Sequence, residues 1–324
     1  MRYVIFGAGA IGGAIGGRLA QHDREVVLIA RGAHQAALEA DGLELRTPEG
    51  TVTVKPSAVE SPAEIDFRDD DVVILATKSQ DTVDALTALA LAAPPGLPVV
   101  CAQNGVANER EVLRRFAGAY AMCVMLPAVH LEPGVVDAHG APLTGILDLG
   151  RYPHGTDAVT ERVASDLEAS HFSSRSEAAV MRLKYQKLLM NLANAFQAAC
   201  GDDPGWGDLY AKARAEACAC YEAAGIEYAS DEEDAARRGE LMRIRPIDGR
   251  RHQGGSSWQS LARGAGSIEA DYLNGEIALL GRVHGVPTPV NALAQRVANR
   301  MARDRAEPGS IPAAQLEAEL IGAP

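Results

Sequence analysis

Within its first dozen residues the chain passes from a short apolar run, Tyr3 to Phe6, directly into Gly7-Ala8-Gly9-Ala10-Ile11-Gly12. This is G-x-G-x-x-G between an expected strand and an expected helix, Ala10 to Gln21. In that setting each glycine has its own task. Gly7 allows a tight turn, Gly9 lets the backbone approach a pyrophosphate, and Gly12 lets helix and strand pack closely. The N-terminus of the helix offers unpaired N–H groups and partial positive charge to phosphate. A glycine-rich turn without a ligand is the bland alternative, and the flanking strand and helix argue against it.

The pattern then repeats. Glu25 to Ala30 is a second apolar β run, followed by a helix over His34 to Ala40 and a hairpin from Leu43 to Val54 turning near Pro48-Glu49-Gly50. Asp71 to Ala76 and Pro98 to Ala102 are further strands, separated by a helix over Asp81 to Ala92 that stops at Pro94-Pro95-Gly96. A short helix, Asn108 to Phe116, leads into β segments that run to about Gly150. Continuous apolar strands joined by helices imply a parallel sheet covered on both faces. Past residue 155 strand signals nearly vanish. Helical runs cover Glu177 to Ala199, Leu209 to Ala224, Ile268 to His284 and Asn291 to Asp304. Asp231 to Met242 is a charged helix candidate, and Arg243 to Gly255 an Arg/Gly/Pro-rich connection. A chain of 324 residues exceeds what one core usually organises. The expectation is an α/β fold: a Rossmann-type doubly wound domain over 1–172, then an all-helical substrate domain over 173–324.

Charge and cysteine content exclude several classes. A net charge of −12 puts nucleic-acid binding, which normally uses a basic face, at a disadvantage, and any anion must be held by a local cluster of donors. No apolar run reaches the ~18 residues of a membrane span. Arg2 and the apolar stretch after it superficially resemble a signal peptide, but the glycines at 7, 9, 12, 13, 16 and 17 interrupt any hydrophobic region. Cys101, Cys123, Cys200, Cys218 and Cys220 form no C-x-x-C pair, which fits buried thiols in a reducing compartment such as the cytoplasm. No metal is assigned.

Cofactor choice is read at the end of the second strand. NAD-preferring folds place an acid there to hold the ribose 2′-OH. This chain has Ala30-Arg31-Gly32. A guanidinium can grip a 2′-phosphate with two charge-assisted hydrogen bonds, so Arg31 argues for NADPH. Two more strand ends carry polar loops, Thr77-Lys78-Ser79-Gln80 and Gln103-Asn104-Gly105. Lys78 reads as a contact to phosphate or substrate, and Asn104 as an amide for the nicotinamide ribose or the substrate. Plain turn chemistry accounts for both equally well.

A second group of polar residues lies on the helical run RLKYQKLLMNLAN, with Lys184, Lys187, Asn191 and Asn194. Lys187 and Asn191 are four apart and share a face. A lysine among Leu183, Leu188, Leu189 and Met190 has a lowered pKa and can give up a proton. Ketone reduction needs that proton, because the carbonyl oxygen gains negative charge as hydride arrives at carbon. A solvated surface lysine is the ordinary alternative. Further on, Ser256-Ser257 precede Glu269-Ala270-Asp271-Tyr272-Leu273-Asn274-Gly275. Acids opening an apolar helix suggest capping, the reading favoured for Asp271. Asn274-Gly275 inside a helical pattern breaks local propensity, as sites often do.

Taken in order, these motifs resemble the ketopantoate reductase (2-dehydropantoate 2-reductase) family over nearly the whole chain. The match consists of Gly7 to Gly12, Arg31, Lys78, Asn104-Gly105, K-L-x-x-N at Lys187 to Asn191, and the serine pair ahead of E-x-D-Y-x-N-G at Glu269 to Gly275. It ends with a helix entered through His284-Gly285-Val286-Pro287. The resemblance implies that Lys187 is the general acid and that Glu269 positions it or the substrate. It implies that Asn104 and Asn191 line the site, that Ser257 lies near the substrate carboxylate, and that Arg31 and Lys78 contact NADPH. It also implies a homodimer and pantoate formation on the route to pantothenate. Related readings are an NADP-dependent oxidoreductase for another 2-oxo acid or oxo compound, and a non-catalytic NADP-binding protein. One departure stands out. The family usually has further asparagines just after the catalytic helix, in an N-P-L-T-A…N-G pattern. Here Ala195 follows an early Asn194, and no asparagine occurs from 195 to 273. Losing groups that hydrogen-bond a substrate hydroxyl can change specificity by orders of magnitude. The arginines at 243, 245, 250 and 251 either cover a more anionic substrate or lie on a solvated loop, and exposed arginine is the usual case.

Overall fold

The computed structural model describes residues 1–252 and 254–321. Gln253, inside the expected Arg-rich connection, and residues 322–324, at the end of the expected second domain, lie outside the described residues. The chain opens with β1 (Arg2–Phe6), α1 (Ala10–Gln21), β2 (Glu25–Ile29), α2 (Gly32–Ala40), β3 (Leu43–Thr47), β4 (Gly50–Val54) and β5 (Ser57–Val59). Next come β6 (Asp71–Leu75), α3 (Thr82–Ala92), β7 (Val99–Cys101), α4 (Asn108–Leu113), β8 (Ala119–Met125), β9 (Ala128–Val129) and β10 (Val135–Ala138). β11 (Gly140–Pro142), β12 (Ile146–Arg151), α5 (Ala158–Glu168), α6 (Val180–Asn191), α7 (Ala193–Cys200), α8 (Trp206–Ala224) and α9 (Asp231–Arg238) follow. The remainder is β13 (Met242–Ile244), α10 (Ser256–Ala262), α11 (Asn274–His284), α12 (Pro289–Arg303) and α13 (Ala313–Ile321).

Two compact units result, and the chain does not divide at a single point such as 172/173. One unit holds residues 1–103, 107–184 and 230–252; the other holds 104–106, 185–229 and the described part of 253–324. Residues 230–252 return to the first unit for a physical reason. Arg237 on α9 forks onto the buried Asp148 of β12, at 2.7 and 2.6 Å, and also donates to Ser173. β13 then pairs antiparallel with β11. That strand was not expected within the Arg-rich connection.

In the first unit, the main sheet runs β12-β8-β7-β6-β1-β2-β5. All neighbours pair parallel except β12, which is antiparallel to β8. The order reverses between β1 and β6, the place where open parallel sheets collect ligands at the carboxyl ends of their strands. Alternation along β1 buries both faces. Tyr3 and Ile5 join one apolar core with Ile15, Leu28 and Ile74, whereas Val4 and Phe6 join another with Val73, Leu86 and Leu89. The expected hairpin is present as β3 and β4, but it belongs to a separate sheet, β4-β3-β10-β9. Helix α1 lies between the two sheets. A Cβ at Gly12 would sit 2.8 Å from Ile5, and one at Gly13 would sit 2.8 Å from Val136. Glycine there exchanges helix propensity for close approach on two sides.

The second unit is helical throughout. Phe196, Leu209, Leu293, Val297 and Met301 are central to its core. The single helix expected over 177–199 is two helices, α6 and α7, with a break at Leu192. At the break a side chain from another element meets the backbone: Asn274 Nδ2 donates to the Leu192 carbonyl at 3.3 Å. The helix expected over 268–284 likewise starts as a separate 3₁₀ turn, Glu269–Tyr272, before α11. Helices α5 and α13 were not anticipated. No described helix is long and apolar enough to cross a membrane.

Candidate active site

The glycine turn has the form a phosphate requires. Gly7 has φ +98°, and a Cβ there would lie 2.9 Å from Thr77 N. A Cβ at Gly12 would meet the Gly7 carbonyl oxygen at 2.2 Å, so turn and helix are in contact. At Gly9 a Cβ would meet no protein atom within 4 Å, which leaves that side of the turn open. The first intrahelical bond of α1 is Gly13 N–H to the Gly9 carbonyl, and no side chain caps the helix. The N–H groups of Ala10, Ile11 and Gly12 therefore precede the ladder and are placed to serve an anion. Ala8 is buried, and its N–H donates to the Ile29 carbonyl at 3.1 Å.

Arg31 is exposed at the N-cap of α2, directly beyond β2, and its guanidinium meets no acceptor among the described residues. Cationic side chains usually acquire carboxylate neighbours in an acidic protein, so an uncommitted one at this position is notable. Lys78 is half-buried at the cap of the short turn Ser79–Asp81, next to Thr77 and hence beside the glycine turn. The residues at hand thus suit a dinucleotide: open space at Gly9, uncapped N–H groups and an uncommitted guanidinium.

A polar network fixes the neighbouring strand ends of the same unit. Thr82, Gln103, Asn108 and Ser79 are buried and hydrogen-bonded to one another at 2.8–3.1 Å. Lys184 is buried, pairs with the fully buried Glu109 and donates to the Gln103 carbonyl at 3.2 Å. Of the two lysines on α6, Lys184 is thus the buried one, and Lys187 is half-buried. Burial pushes the nearby Cys101 thiol well above its ordinary range, and the Glu109 carboxylate adds to this.

The other candidate residues all lie in the helical unit. Asn104 is half-buried in the loop 104–106. Gly105 in that loop has φ +78°, and a Cβ there would lie 2.8 Å from the Tyr272 carbonyl oxygen. The loop therefore packs on the 3₁₀ turn that the buried Glu269 opens. Lys187 and Asn191 lie in the last two turns of α6, which ends beside Asn274. Three segments far apart in sequence, 104–106, 187–192 and 269–274, are so held as neighbours. Asn191 is buried, and its Nδ2 has no hydrogen-bond partner among the described residues. A buried donor left unsatisfied costs about 1–3 kcal/mol, so a ligand acceptor is the natural complement.

Several side chains have different roles from those expected. Asp271 caps no helix; its Oδ1 accepts from Gln295 at 2.7 Å and Asn299 at 2.6 Å on α12. Asn274 is structural: it bonds Leu192 and Asn291, and Asn291 in turn donates to Glu216, whose carboxylate holds the first N–H groups of α12. Ser257 is buried in the first turn of α10. The segment leading into it is held from α7, by Gln197 Oε1 accepting from Gly255 N–H at 2.8 Å and by Asn194 Nδ2 donating to Ser256 Oγ at 3.4 Å. Gln197 was not singled out in the sequence; its position four residues past Ala193 on the same helix gave no signal. Ala195 packs into the helical core. Arg243 pairs with Glu240, and Arg250 lies 3.9 Å from both Asp137 and Asp248. A cavity of about 520 Å³ near Arg175, Arg182 and Arg237 is charge-balanced by ion pairs and contains none of the candidate residues.

Comparison with known proteins agrees with this architecture. The family model described as ketopantoate reductase PanE/ApbA matches residues 3–154, and its C-terminal counterpart matches residues 179–302. A 2-dehydropantoate 2-reductase from Halobacterium salinarum is 28% identical over 303 residues, spanning 90% of this chain and 95% of that protein. The crystal structure of a PanE/ApbA family ketopantoate reductase from Ralstonia eutropha JMP134 is 30% identical, with a TM-score of 0.78 and coverage of 94% of this chain and 99% of that one. A D-mandelate dehydrogenase solved with NADH and anilino(oxo)acetate has a TM-score of 0.80 at 23% identity over 94% of this chain and 99% of its own, a likeness of fold alone. The chain belongs to the ketopantoate reductase (PanE/ApbA) family of pyridine-nucleotide-dependent oxidoreductases.

Proposed function

We propose that the protein reduces a small 2-oxo acid with NADPH, and that 2-dehydropantoate, reduced to pantoate for pantothenate synthesis, is the leading substrate. The observation that carries this reading is Asn191, a buried amide with an unused donor one turn from Lys187. NADPH, when bound, supplies the hydride. Arg31 holds the 2′-phosphate, the Gly7–Gly12 turn holds the pyrophosphate, and Lys78 adds positive charge beside that turn. Asn191 and Asn104 orient the substrate's oxygen atoms, and Ser257 receives its carboxylate. The Lys187 ammonium gives its proton to the carbonyl oxygen as that atom gains charge, and Glu269 positions the ammonium. The lysine is then reprotonated from solvent.

A second reading keeps the chemistry and changes the substrate. Ala195 packs in the core and Asn194 is engaged with Ser256, so neither offers the substrate an amide. This favours a 2-oxo acid with fewer hydroxyl groups than ketopantoate. Initial rates of NADPH oxidation with ketopantoate and with a panel of branched 2-oxo acids separate the two. Turnover of ketopantoate with the highest kcat/KM supports the first reading; preference for an unhydroxylated acid supports the second; no turnover of any 2-oxo acid removes both. The same reading carries a cytoplasmic homodimer, which sedimentation tests against a single-chain mass of 34.1 kDa.

A further inference from the structure

We propose that His34 is a positioning residue for the cofactor: in its neutral form, with the proton on Nε2, it sets the Gly7–Gly12 turn to accept phosphate. The inference rests on the reading of that turn as the NADPH site. His34 lies in the first turn of α2, three residues after Arg31. The Gly134 N–H donates to its Nδ1 at 2.9 Å, so Nδ1 carries no proton. The ring proton is then on Nε2, which donates to the Ala8 carbonyl oxygen at 2.8 Å. Geometry thus fixes the tautomer.

The consequence falls on Gly9. In a planar trans peptide the C=O and the following N–H point in opposite directions. Holding the Ala8 carbonyl toward α2 therefore aims the Gly9 N–H away from it, and that N–H finds no acceptor among the described residues. Ala8 N–H is already fixed by Ile29. His34 supplies the second restraint on this residue, and it links the turn to the strand that follows Gly134, β10.

A charged ring cannot do this. Protonation puts a hydrogen on Nδ1, facing the Gly134 N–H donor to donor. It also places a cation against the His130 ring, whose centroid is 4.2 Å away. Burial lowers the His34 pKa from its ordinary 6.5, which keeps the ring neutral at pH 7. The restraint is therefore present above that value and is lost as pH falls through the folded-state pKa. The connection before β10 brings His130 and Glu132 to this region, α2 and its caps carry Arg31, Glu39 and Asp41, and β5 brings no charge.

The test is NADPH binding to the intact protein, followed by nucleotide fluorescence from about pH 8 to about pH 5.5. His34→Phe removes both bonds and keeps a ring against His130; His34→Gln restores one donor and one acceptor on a planar amide. At pH 7.5 or so, the Kd of His34→Phe is expected to rise about tenfold, the size of one or two lost hydrogen bonds. His34→Gln is expected to stay within about threefold of the parent. The parent loses affinity toward acid more steeply than His34→Gln, because the nucleotide phosphates titrate in both and the His34 ring only in the parent. A His34→Phe protein that binds as the parent does, a His34→Gln protein as impaired as His34→Phe, or parallel pH profiles would overturn the proposal. Should His34→Phe fail to fold, the comparison of the parent and His34→Gln profiles decides alone. A parent that binds no NADPH at any pH overturns the cofactor reading itself, which is a distinguishable result.

Discussion

At the scale of single residues, the charges that matter are those without carboxylate neighbours and those sealed away with one. Arg31 is of the first kind. In the proposed role, replacing it by alanine removes a two-bond grip on a phosphate and leaves the fold untouched, since its guanidinium meets no acceptor among the described residues. The KM for NADPH is expected to rise about tenfold or more, the preference over NADH to narrow, and the melting temperature to stay unchanged. A parent enzyme that already prefers NADH would remove this argument. Lys184 with Glu109 is of the second kind. Lys184→Met leaves a fully buried carboxylate without its partner, a loss of about 3–5 kcal/mol. Denaturant titration should show that loss, and the double change with Glu109→Gln should recover part of it. Stability that recovers nothing in the double variant would show that the pair acts through packing alone.

At the scale of elements, close approach and borrowed hydrogen bonds decide where the chain turns and breaks. Gly12→Ala puts a methyl group 2.2 Å from a backbone oxygen of the glycine turn, so the turn must move. NADPH binding is expected to weaken more than about tenfold, read by the same fluorescence titration, with a lower melting temperature. Unaltered binding would mean that the turn does not hold the pyrophosphate. Legibility in the sequence follows from whether the cause of an element is local. The apolar runs 3–6, 26–30 and 72–76 and the glycine spacing are local, and the sheet and the turn were readable from them. The break at Leu192 was not, and the side chain that meets the backbone there, Asn274, lies 82 residues away. Nor was the choice between two lysines three residues apart on α6, which is made by Glu109, 75 residues earlier. Helix α5 could have been read: Asp157 and Thr160 form a capping box at its start. Asp271 suggested a cap by its position, and its actual partners, Gln295 and Asn299, could not be guessed from neighbouring residues.

At the scale of the whole molecule, both units are discontinuous along the chain, with three segments each. The first recovers residues 230–252 after the second has begun, and Arg237 on Asp148 is a main tie. Arg237→Ala leaves a buried carboxylate with, among the described residues, only the Arg175 cation nearby, at 3.6 Å, and is expected to destabilise the first unit by about 3 kcal/mol. Limited proteolysis should then cut within 230–252 first; a variant as resistant as the parent would show that β13 on β11 suffices to hold the segment. The helical unit contains Asn104, Lys187, Asn191, Ser257 and Glu269, drawn from four separate stretches, and the proposed proton transfer is placed there. Lys187 is the proposed proton donor, and single-turnover stopped-flow measurement of NADPH oxidation tests it most directly, using the 2-oxo acid that turns over best. The account predicts that Lys187→Ala slows this step by about 10² to 10⁴ while NADPH binds as before. A rate within about threefold of the parent would contradict the assignment of the proton to Lys187.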